Sequence, residues 1–180
     1  ARAGFDVRQR GLAGQPRLVV YASTEAHSSI QKAVELLGLG TEGLRKVPVR
    51  ADFTVDVEAM RAMIVADRAS GMRPIGIVGN AGTVNTGAVD DLPALADLAQ
   101  REGAWFHVDG AFGALACLSP GLRRLVAGME RADSLTFDFH KWMYLPYEIG
   151  VVLVRDASQH RQTFSLTPDY LVHGERGLNA

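Results

Sequence analysis

The chain has 180 residues, of which 47% are hydrophobic, and that is enough to build one domain around a sizeable core. Its 19 basic and 20 acidic side chains nearly cancel, so no overall field favours nucleic acid or an anionic membrane over a small neutral or zwitterionic ligand. A charge-free stretch at 110–122 is broken by Gly and Pro and is shorter than the roughly 18 apolar residues that span a bilayer, so we expect neither nucleic-acid binding nor a transmembrane helix.

Strand-like and helix-like patterns alternate along the chain. Short apolar runs predict six strands, at 17–22, 44–49, 74–79, 104–108, 134–137 and 149–154. Caps and helical spacing predict the intervening helices, from a capping box of Ser28 and Gln31 to a stop at Gly38, over 56–70, from a cap at Asp91 to about Gly103, and near 122–127. This alternation is typical of an α/β chain with a mainly parallel sheet and helices on both faces. Only 141–148 separate the last two strands, so the last strand is expected to run antiparallel.

The cysteine content and the two ends bear on the context of the chain. Cys117 is the only cysteine, so no internal disulfide forms, and no basic leader precedes an apolar run, which favours a reducing cytoplasm. The chain starts with Ala1 rather than Met, and 173–180 hold no further predicted element. We therefore expect a single partial domain that belongs to a longer chain.

Polar side chains follow four of the predicted strands. They are His27, the turn 80–86, the pair His107 and Asp109, and the group Asp138, His140 and Lys141. In open α/β sheets ligands bind at the carboxyl ends of the strands, so these side chains are expected to converge on one site.

Lys141 stands out because the chain otherwise supplies positive charge with arginine. There are 16 arginines but only three lysines, and Lys141 lies within the aromatic window 137–144. A lysine amine can be neutralised by desolvation and then act as a nucleophile, which an arginine cannot. A catalytic role is therefore favoured over that of a solvated surface lysine.

Pyridoxal 5′-phosphate is a cofactor that needs an amine, a carboxylate and a flat partner. The amine forms a Schiff base, the carboxylate keeps the pyridine nitrogen protonated, and the flat group contacts the ring. Lys141, Asp109 and His27 could fill these roles in that order.

Four blocks of the sequence, at 21–29, 80–87, 107–113 and 138–142, together carry a family resemblance. In this order they resemble the group II pyridoxal-phosphate-dependent amino-acid decarboxylases, which include aromatic L-amino-acid, glutamate and histidine decarboxylases. The resemblance runs from about Leu18 to Tyr170. It implies decarboxylation of a small-molecule L-amino acid, with Lys141 as the Schiff-base lysine, Asp109 on the pyridinium nitrogen and His27 stacked on the ring.

The resemblance also implies roles for three further residues. Thr83 matches a threonine near the phenolic oxygen of the cofactor, and Asp138 and His140 match positions that approach either its phosphate or the lysine. Gly110 stands where alanine is frequent in the family, and we expect it to enlarge the space beside the ring.

The resemblance places residues 1–180 in the middle of the large domain of a fold-type I enzyme. It implies that the phosphate-binding segment lies before Ala1, that a small C-terminal domain lies after Ala180, and that the full-length protein is a homodimer. On this basis the isolated chain is expected to bind the cofactor weakly and to be inactive.

Other functions remain open at this stage. The same scaffold supports aminotransferases and aldehyde-lyases, and a silent relative would keep the fold without the activity. A metal-dependent hydrolase would use His27, His107, Asp109 and His140 as ligands but leaves the lysine unexplained. A dinucleotide site at 76–82 lacks the Gly-x-Gly-x-x-Gly spacing.

Individual residues have structural alternatives as well. Asp109 could cap the turn that follows it, and His27 could cap the next helix. Thr83 and Thr86 could stabilise their turn through their hydroxyl groups. His107 could be a group that supports the site residues from behind, or a packed strand residue.

Overall fold

The computed structural model describes residues 2–164 and contains one six-stranded sheet. The strands are β1 (Leu18–Ser23), β2 (Leu44–Val47), β3 (Arg73–Asn80), β4 (Trp105–Asp109), β5 (Ser134–Asp138) and β6 (Gly150–Val154). Their order across the sheet is β2-β1-β3-β4-β5-β6, in which the first five strands are parallel and β6 is antiparallel to β5. The predicted α/β class and the reversed last strand are confirmed. The expectation for 173–180 and the end of the resemblance at Tyr170 lie outside the described residues.

Six α-helices connect and flank the strands of the described chain. They are α1 (Val7–Arg10), α2 (Ser28–Leu36), α3 (Val57–Ala69), α4 (Leu92–Glu102), α5 (Phe139–Trp142) and α6 (Ala157–Phe164). Short 3-10 turns lie at Thr41–Gly43, Ala114–Leu118, Arg123–Val126 and Met129–Arg131. The helix predicted near 122–127 is therefore only a 3-10 turn, and α1, α5 and α6 were not predicted. Within the described residues, no helix is both long and apolar enough to cross a bilayer.

Both α3 and α4 have an aspartate as N-cap, of which Asp91 was predicted. Asp56 accepts a hydrogen bond from the backbone of the first turn of α3, and Asp91 does the same for α4. Gly103 ends α4 in the left-handed conformation, with φ of 62°, which glycine adopts without strain. The apolar faces of both helices are buried against the sheet, as their spacing predicts.

The capping box predicted at the start of α2 is not formed. His27, rather than Ser28, is the N-cap, because its imidazole Nδ1 already accepts a hydrogen bond from the Ser29 backbone N–H. Gln31 instead donates to Glu35, one turn further along the helix. The residue that caps α2 is thus also one of the residues predicted to form the site.

The strand order creates a crevice beside β1. From β1 the chain passes to β2 on one side of the sheet, and it then crosses to β3 on the other side. The connections that leave the carboxyl ends of β1 and β3 therefore diverge, and ligands bind at such switch points in open α/β sheets.

Candidate active site

A cavity of about 410 Å³ lies over the carboxyl ends of the parallel strands. Its wall is built from the start of α2, the turn after β3, the end of β4 with its following loop, and the end of β5 with α5. The residues that line it are His27, Ser29, Ile30, Ala33, Asn80, Gly82, Thr83, Val84, His107, Asp109, Ala111, Phe112, Thr136, Asp138 and Lys141. Of the six residues expected in the site, five line this cavity, and His140 does not.

Lys141 extends from α5 into the cavity and is held by two contacts. Its Nζ lies 2.9 Å from Asp138 Oδ2 and 4.6 Å from the centroid of the Phe112 ring. The aromatic setting predicted for this lysine is found only in part, because Trp142 and Tyr144 are exposed. The amine is thus oriented by a carboxylate and one ring rather than enclosed by aromatic side chains.

His140 lies outside the cavity, next to Asp138. Its side chain is only 7% exposed, and its Nδ1 accepts a hydrogen bond of 3.0 Å from the Ile149 backbone N–H. Its Nε2 lies 3.7 Å from Asp138 Oδ2, and its ring packs on Tyr147. The resemblance places Asp138 and His140 near either the phosphate of the cofactor or the lysine. In the structure Asp138 contacts the lysine, and His140 lies near Asp138.

Asp109 is the last residue of β4 and lies between the ends of the neighbouring strands. It pairs in register with Asn80 on β3 and with Thr136 on β5. Its Oδ1 accepts a hydrogen bond of 3.1 Å from the Ala111 backbone N–H. It therefore caps the turn that follows, as its structural alternative requires, and it also presents a carboxylate to the cavity.

His107 precedes Asp109 by two residues on the same face of β4 and also lines the cavity. Its Nδ1 lies 2.8 Å from Ser134 Oγ on β5. Burial lowers the pKa of this imidazole below its ordinary value of 6.5, against the opposing charge of Asp109. His107 is therefore neutral at neutral pH.

His27 lies on the opposite wall, at the rim of the cavity. Its imidazole is exposed, and its Nδ1 contacts Ser29 Oγ at 2.9 Å in addition to accepting from the backbone N–H of that residue. These two bonds fix the ring while it caps α2. The same imidazole thus caps α2 and lines the cavity.

Thr83 is buried in the turn after β3. Its Oγ1 lies 2.6 Å from Thr86 Oγ1 and accepts a bond of 3.2 Å from the Ala88 N–H. The hydroxyl therefore stabilises its own turn, while the residue as a whole lines the cavity. Thr86 is not part of the lining.

The sequence reading missed Asp90, a buried carboxylate beneath this turn. Its Oδ2 accepts bonds from both the backbone N–H and the side-chain amide of Asn80, and its Oδ1 accepts from the Val55 N–H. Burial raises the pKa of Asp90, although these N–H donors act in the opposite direction. A second aspartate next to the Asp91 cap was the only signal in the sequence.

Two glycines let the loops after β3 and β4 touch. Gly113 N–H donates to Ala81 C=O at 2.8 Å, and a Cβ on Gly113 would lie 2.4 Å from that oxygen. Gly82, with φ of 90°, lies against the same glycine. Only glycine permits this approach, which closes the cavity between the two loops.

Gly110 does not enlarge the cavity, contrary to the expectation from the sequence. It is buried and does not line the cavity, and a Cβ there would lie 2.6 Å from the Ala114 Cβ and 3.0 Å from Thr136 C=O. A side chain at this position would disturb the packing of the loop rather than fill space beside a ligand.

The residues of the metal-site alternative are not gathered in the way that hypothesis needs. In residues 2–164, no three His, Cys, Asp or Glu side chains form a group that could hold a metal ion. His27 is engaged with Ser29, and His140 is held outside the cavity. The four ligands proposed from the sequence therefore do not form one centre.

The donor set fits pyridoxal 5′-phosphate. An amine, a carboxylate and an imidazole line one cavity. The dinucleotide alternative is not supported by the fold, because 76–79 lie inside β3 rather than in a loop.

Comparison with known proteins gives the same result. Residues 3–180 match the pyridoxal-dependent decarboxylase conserved domain. The chain is 40% identical over 160 residues to an aromatic-L-amino-acid decarboxylase of Bacillus atrophaeus, an alignment that covers 89% of this chain and 33% of that protein. It is 39% identical over 162 residues to a histidine decarboxylase of Rattus norvegicus, with 90% and 24% covered.

The structure is also similar to solved structures of related proteins. The crystal structure of Oryza sativa TDC with PLP and tryptamine matches with a TM-score of 0.85 and 34% identity, over 93% of this chain and 35% of that one. The chain thus spans about a quarter to a third of the length of the relatives it matches.

Proposed function

This chain belongs to the pyridoxal-dependent decarboxylase family, and from that membership we propose that the whole protein removes the carboxylate of an L-amino acid by means of pyridoxal 5′-phosphate. The observation that carries the proposal is that Lys141, Asp109 and His27 line a single cavity at the switch point of the sheet. Residues 1–180 would form the central part of a larger cofactor-binding domain.

The bound cofactor would supply an electron sink for the charge that remains on the substrate when carbon dioxide leaves. Lys141 would attach the cofactor through Nζ, for which the amine must be neutral. Asp138 Oδ2, at 2.9 Å, would orient Nζ towards the cofactor, and His140 Nε2 lies 3.7 Å from the same carboxylate oxygen.

Asp109 and His27 would hold the cofactor ring from different sides of the cavity. Asp109 would keep a proton on the ring nitrogen, because a carboxylate at that place favours the charged form. His27 offers a flat imidazole that is already fixed by Ser29. Thr83 would approach the ring from the turn after β3.

The assembly and location of the protein are also part of the proposal. A homodimer in the cytoplasm, with a phosphate-binding segment and a small C-terminal domain completing the site, is what the family resemblance implies. The single exposed cysteine, Cys117, which forms no disulfide, is in keeping with a reducing compartment.

The test is a product assay on the whole protein with pyridoxal 5′-phosphate and a panel of L-amino acids labelled in the carboxylate. We expect carbon dioxide and the corresponding amine in equal amounts. Lys141→Ala should abolish both, and Lys46→Ala, at an exposed position of β2, should leave both unchanged. A 2-oxo acid without carbon dioxide would show an aminotransferase instead, and no turnover of any amino acid would overturn the proposal.

A further inference from the structure

Three side chains on one face of β4 and β5 form a hydrogen-bonded row, of which His107 lines the cavity. Trp105 Nε1 lies 2.8 Å from Ser134 Oγ, and the same oxygen lies 2.8 Å from His107 Nδ1. The row follows from the sheet, since His107 pairs in register with Ser134, and Trp105 precedes His107 by two residues on the same face. The roles proposed above for the site residues do not use any of the three.

The chemistry of the three groups sets the direction of the row. The indole of Trp105 can only donate, so Ser134 Oγ accepts from it. The hydroxyl then has one hydrogen of its own, and His107 Nδ1 is the remaining partner of that oxygen within residues 2–164. If Nδ1 carried the proton instead, the hydroxyl would accept twice and its hydrogen would have no partner in the row. The arrangement that uses every hydrogen has Ser134 donating to Nδ1.

The surroundings of His107 keep it uncharged. Burial disfavours the imidazolium, and this effect exceeds the opposing effects of the Asp109 carboxylate on the same strand face and of a hydrogen bond with the Ser134 backbone, so the pKa of His107 is lowered. The other charged groups on the cavity wall are Asp138 and Lys141, which are paired with each other, and His27 is on the opposite wall. A neutral imidazole that accepts at Nδ1 carries its proton on Nε2.

We propose that Trp105 and Ser134 fix His107 as the Nε2-protonated neutral imidazole, and that in this state His107 is a positioning residue for Asp109. The role rests on the proposed function, in which Asp109 holds a proton on the cofactor ring. A neutral His107 leaves the negative charge of Asp109 intact for that proton. An imidazolium two residues away would instead draw the carboxylate into an ion pair and weaken it.

The first test reads the tautomer directly, without any activity. In the cofactor-free protein labelled with ¹⁵N-histidine, the His107 signals are assigned by their loss in His107→Gln. We expect an unprotonated Nδ1 and a protonated Nε2 at neutral pH. A protonated Nδ1, or an imidazolium, would overturn the proposal whatever the protein catalyses.

The second test removes the donor to Nδ1. Ser134→Ala should shift His107 towards a mixture of tautomers and lower kcat by about tenfold with KM unchanged, the lower end of the effects of comparable outer hydrogen-bond partners. Ser134→Thr keeps the hydroxyl and should restore both. Ser70→Ala is the matched control, because that exposed hydroxyl bonds only to its own helix, at Ala66 C=O.

A third variant covers the case in which Ser134→Ala does not fold. Trp105→Phe keeps an aromatic ring but removes the donor to Ser134, and it should move the tautomer and kcat in the same direction by a smaller factor. Wild-type kcat in both folded variants would overturn the positioning role while decarboxylation stands. The expected tautomer in a protein that does not decarboxylate would leave the hydrogen-bonded row intact and overturn the proposed function alone.

Discussion

Asp138 Oδ2 lies 2.9 Å from Lys141 Nζ, where the end of β5 passes directly into α5. The strand ends on the carboxylate and the helix presents the amine three residues later, so the backbone itself sets their separation. The pair faces the same cavity as Asp109 and His27. This relationship makes Asp138 the group that orients Lys141 Nζ in the cavity.

Asp138→Asn should therefore slow the attachment of pyridoxal 5′-phosphate to Lys141 by about tenfold, because a neutral amide orients Nζ less firmly than the carboxylate does. The rate is measured by stopped-flow absorbance after the cofactor is mixed with the cofactor-free protein. Asp97→Asn is the control, since that exposed aspartate pairs with Arg131 at the surface. Equal rates in the parent and in Asp138→Asn would contradict the role.

Borohydride reduction of the protein loaded with pyridoxal 5′-phosphate should leave a stable adduct on Lys141 alone. The reason is that Lys141 is the one of the three lysines that lines the cavity, while Lys32 and Lys46 are exposed on α2 and β2. Peptide mapping by mass spectrometry locates the adduct. Modification of either exposed lysine in its place would show that the site has been misassigned.

Asp109→Asn should lower kcat by about 10²-fold or more while the dissociation constant of pyridoxal 5′-phosphate changes only a few-fold. The asparagine Oδ1 can still accept from the Ala111 N–H, so the turn is kept and only the charge is lost. Both constants are measured on the same preparation. A parallel loss of affinity and turnover would indicate a structural role instead.

Gly113→Ala should weaken cofactor binding and lower the free energy of unfolding by about 1–3 kcal/mol, because its Cβ would lie 2.4 Å from Ala81 C=O. The loops after β3 and β4 would have to separate. Gly121→Ala is the matched control, since its Cβ would have no neighbour within 4 Å. The comparison uses chemical denaturation together with cofactor titration, and equal behaviour of the two variants would refute the closure of the cavity by these loops.

The stability of the protein should fall in acid partly through His107. Its pKa is lowered by burial in the folded state, so below the ordinary value of 6.5 the unfolded chain takes up a proton that the folded chain does not. The stabilisation is complete above that value and is lost as pH falls towards the folded pKa. Free energies of unfolding between about pH 8 and pH 5 should thus decline more steeply for the parent than for His107→Gln. Parallel declines would show that His107 is not buried in a neutral form.

The local elements could be predicted from the sequence because each has its own signal. Asp91 caps its helix as expected, and the five parallel strands follow from apolar runs separated by helices. The convergence of His27, Asp109 and Lys141 also followed, since strand ends meet at one edge of a parallel sheet. What the alternation of elements does not specify is which strand neighbours which, and that order creates the switch point beside β1.

The parts of the site that escaped prediction depend on contacts distant in sequence. Asp90 gains its role only when Val55 and Asn80 are brought to it by the fold. The space around Gly110 depends on the path of the following loop, which brings Ala114 against it, so its effect on the cavity was misjudged. In the same way, His27 rather than Ser28 is the cap of α2, because its imidazole accepts a hydrogen bond from the Ser29 backbone N–H, a role that is usually filled by a side-chain oxygen.

The parallel arrangement of β1, β3, β4 and β5 also has a consequence for the order of folding events. Each parallel neighbour is reached through a crossover, so the chain loses the entropy of closing long loops before pairing of the strands stabilises it. His27 follows β1 and Lys141 follows β5, so the two residues come together only when the strands between them in the sheet have paired. Capture of the cofactor during refolding should therefore mark the completion of the sheet, and it should lag behind the appearance of helical signal.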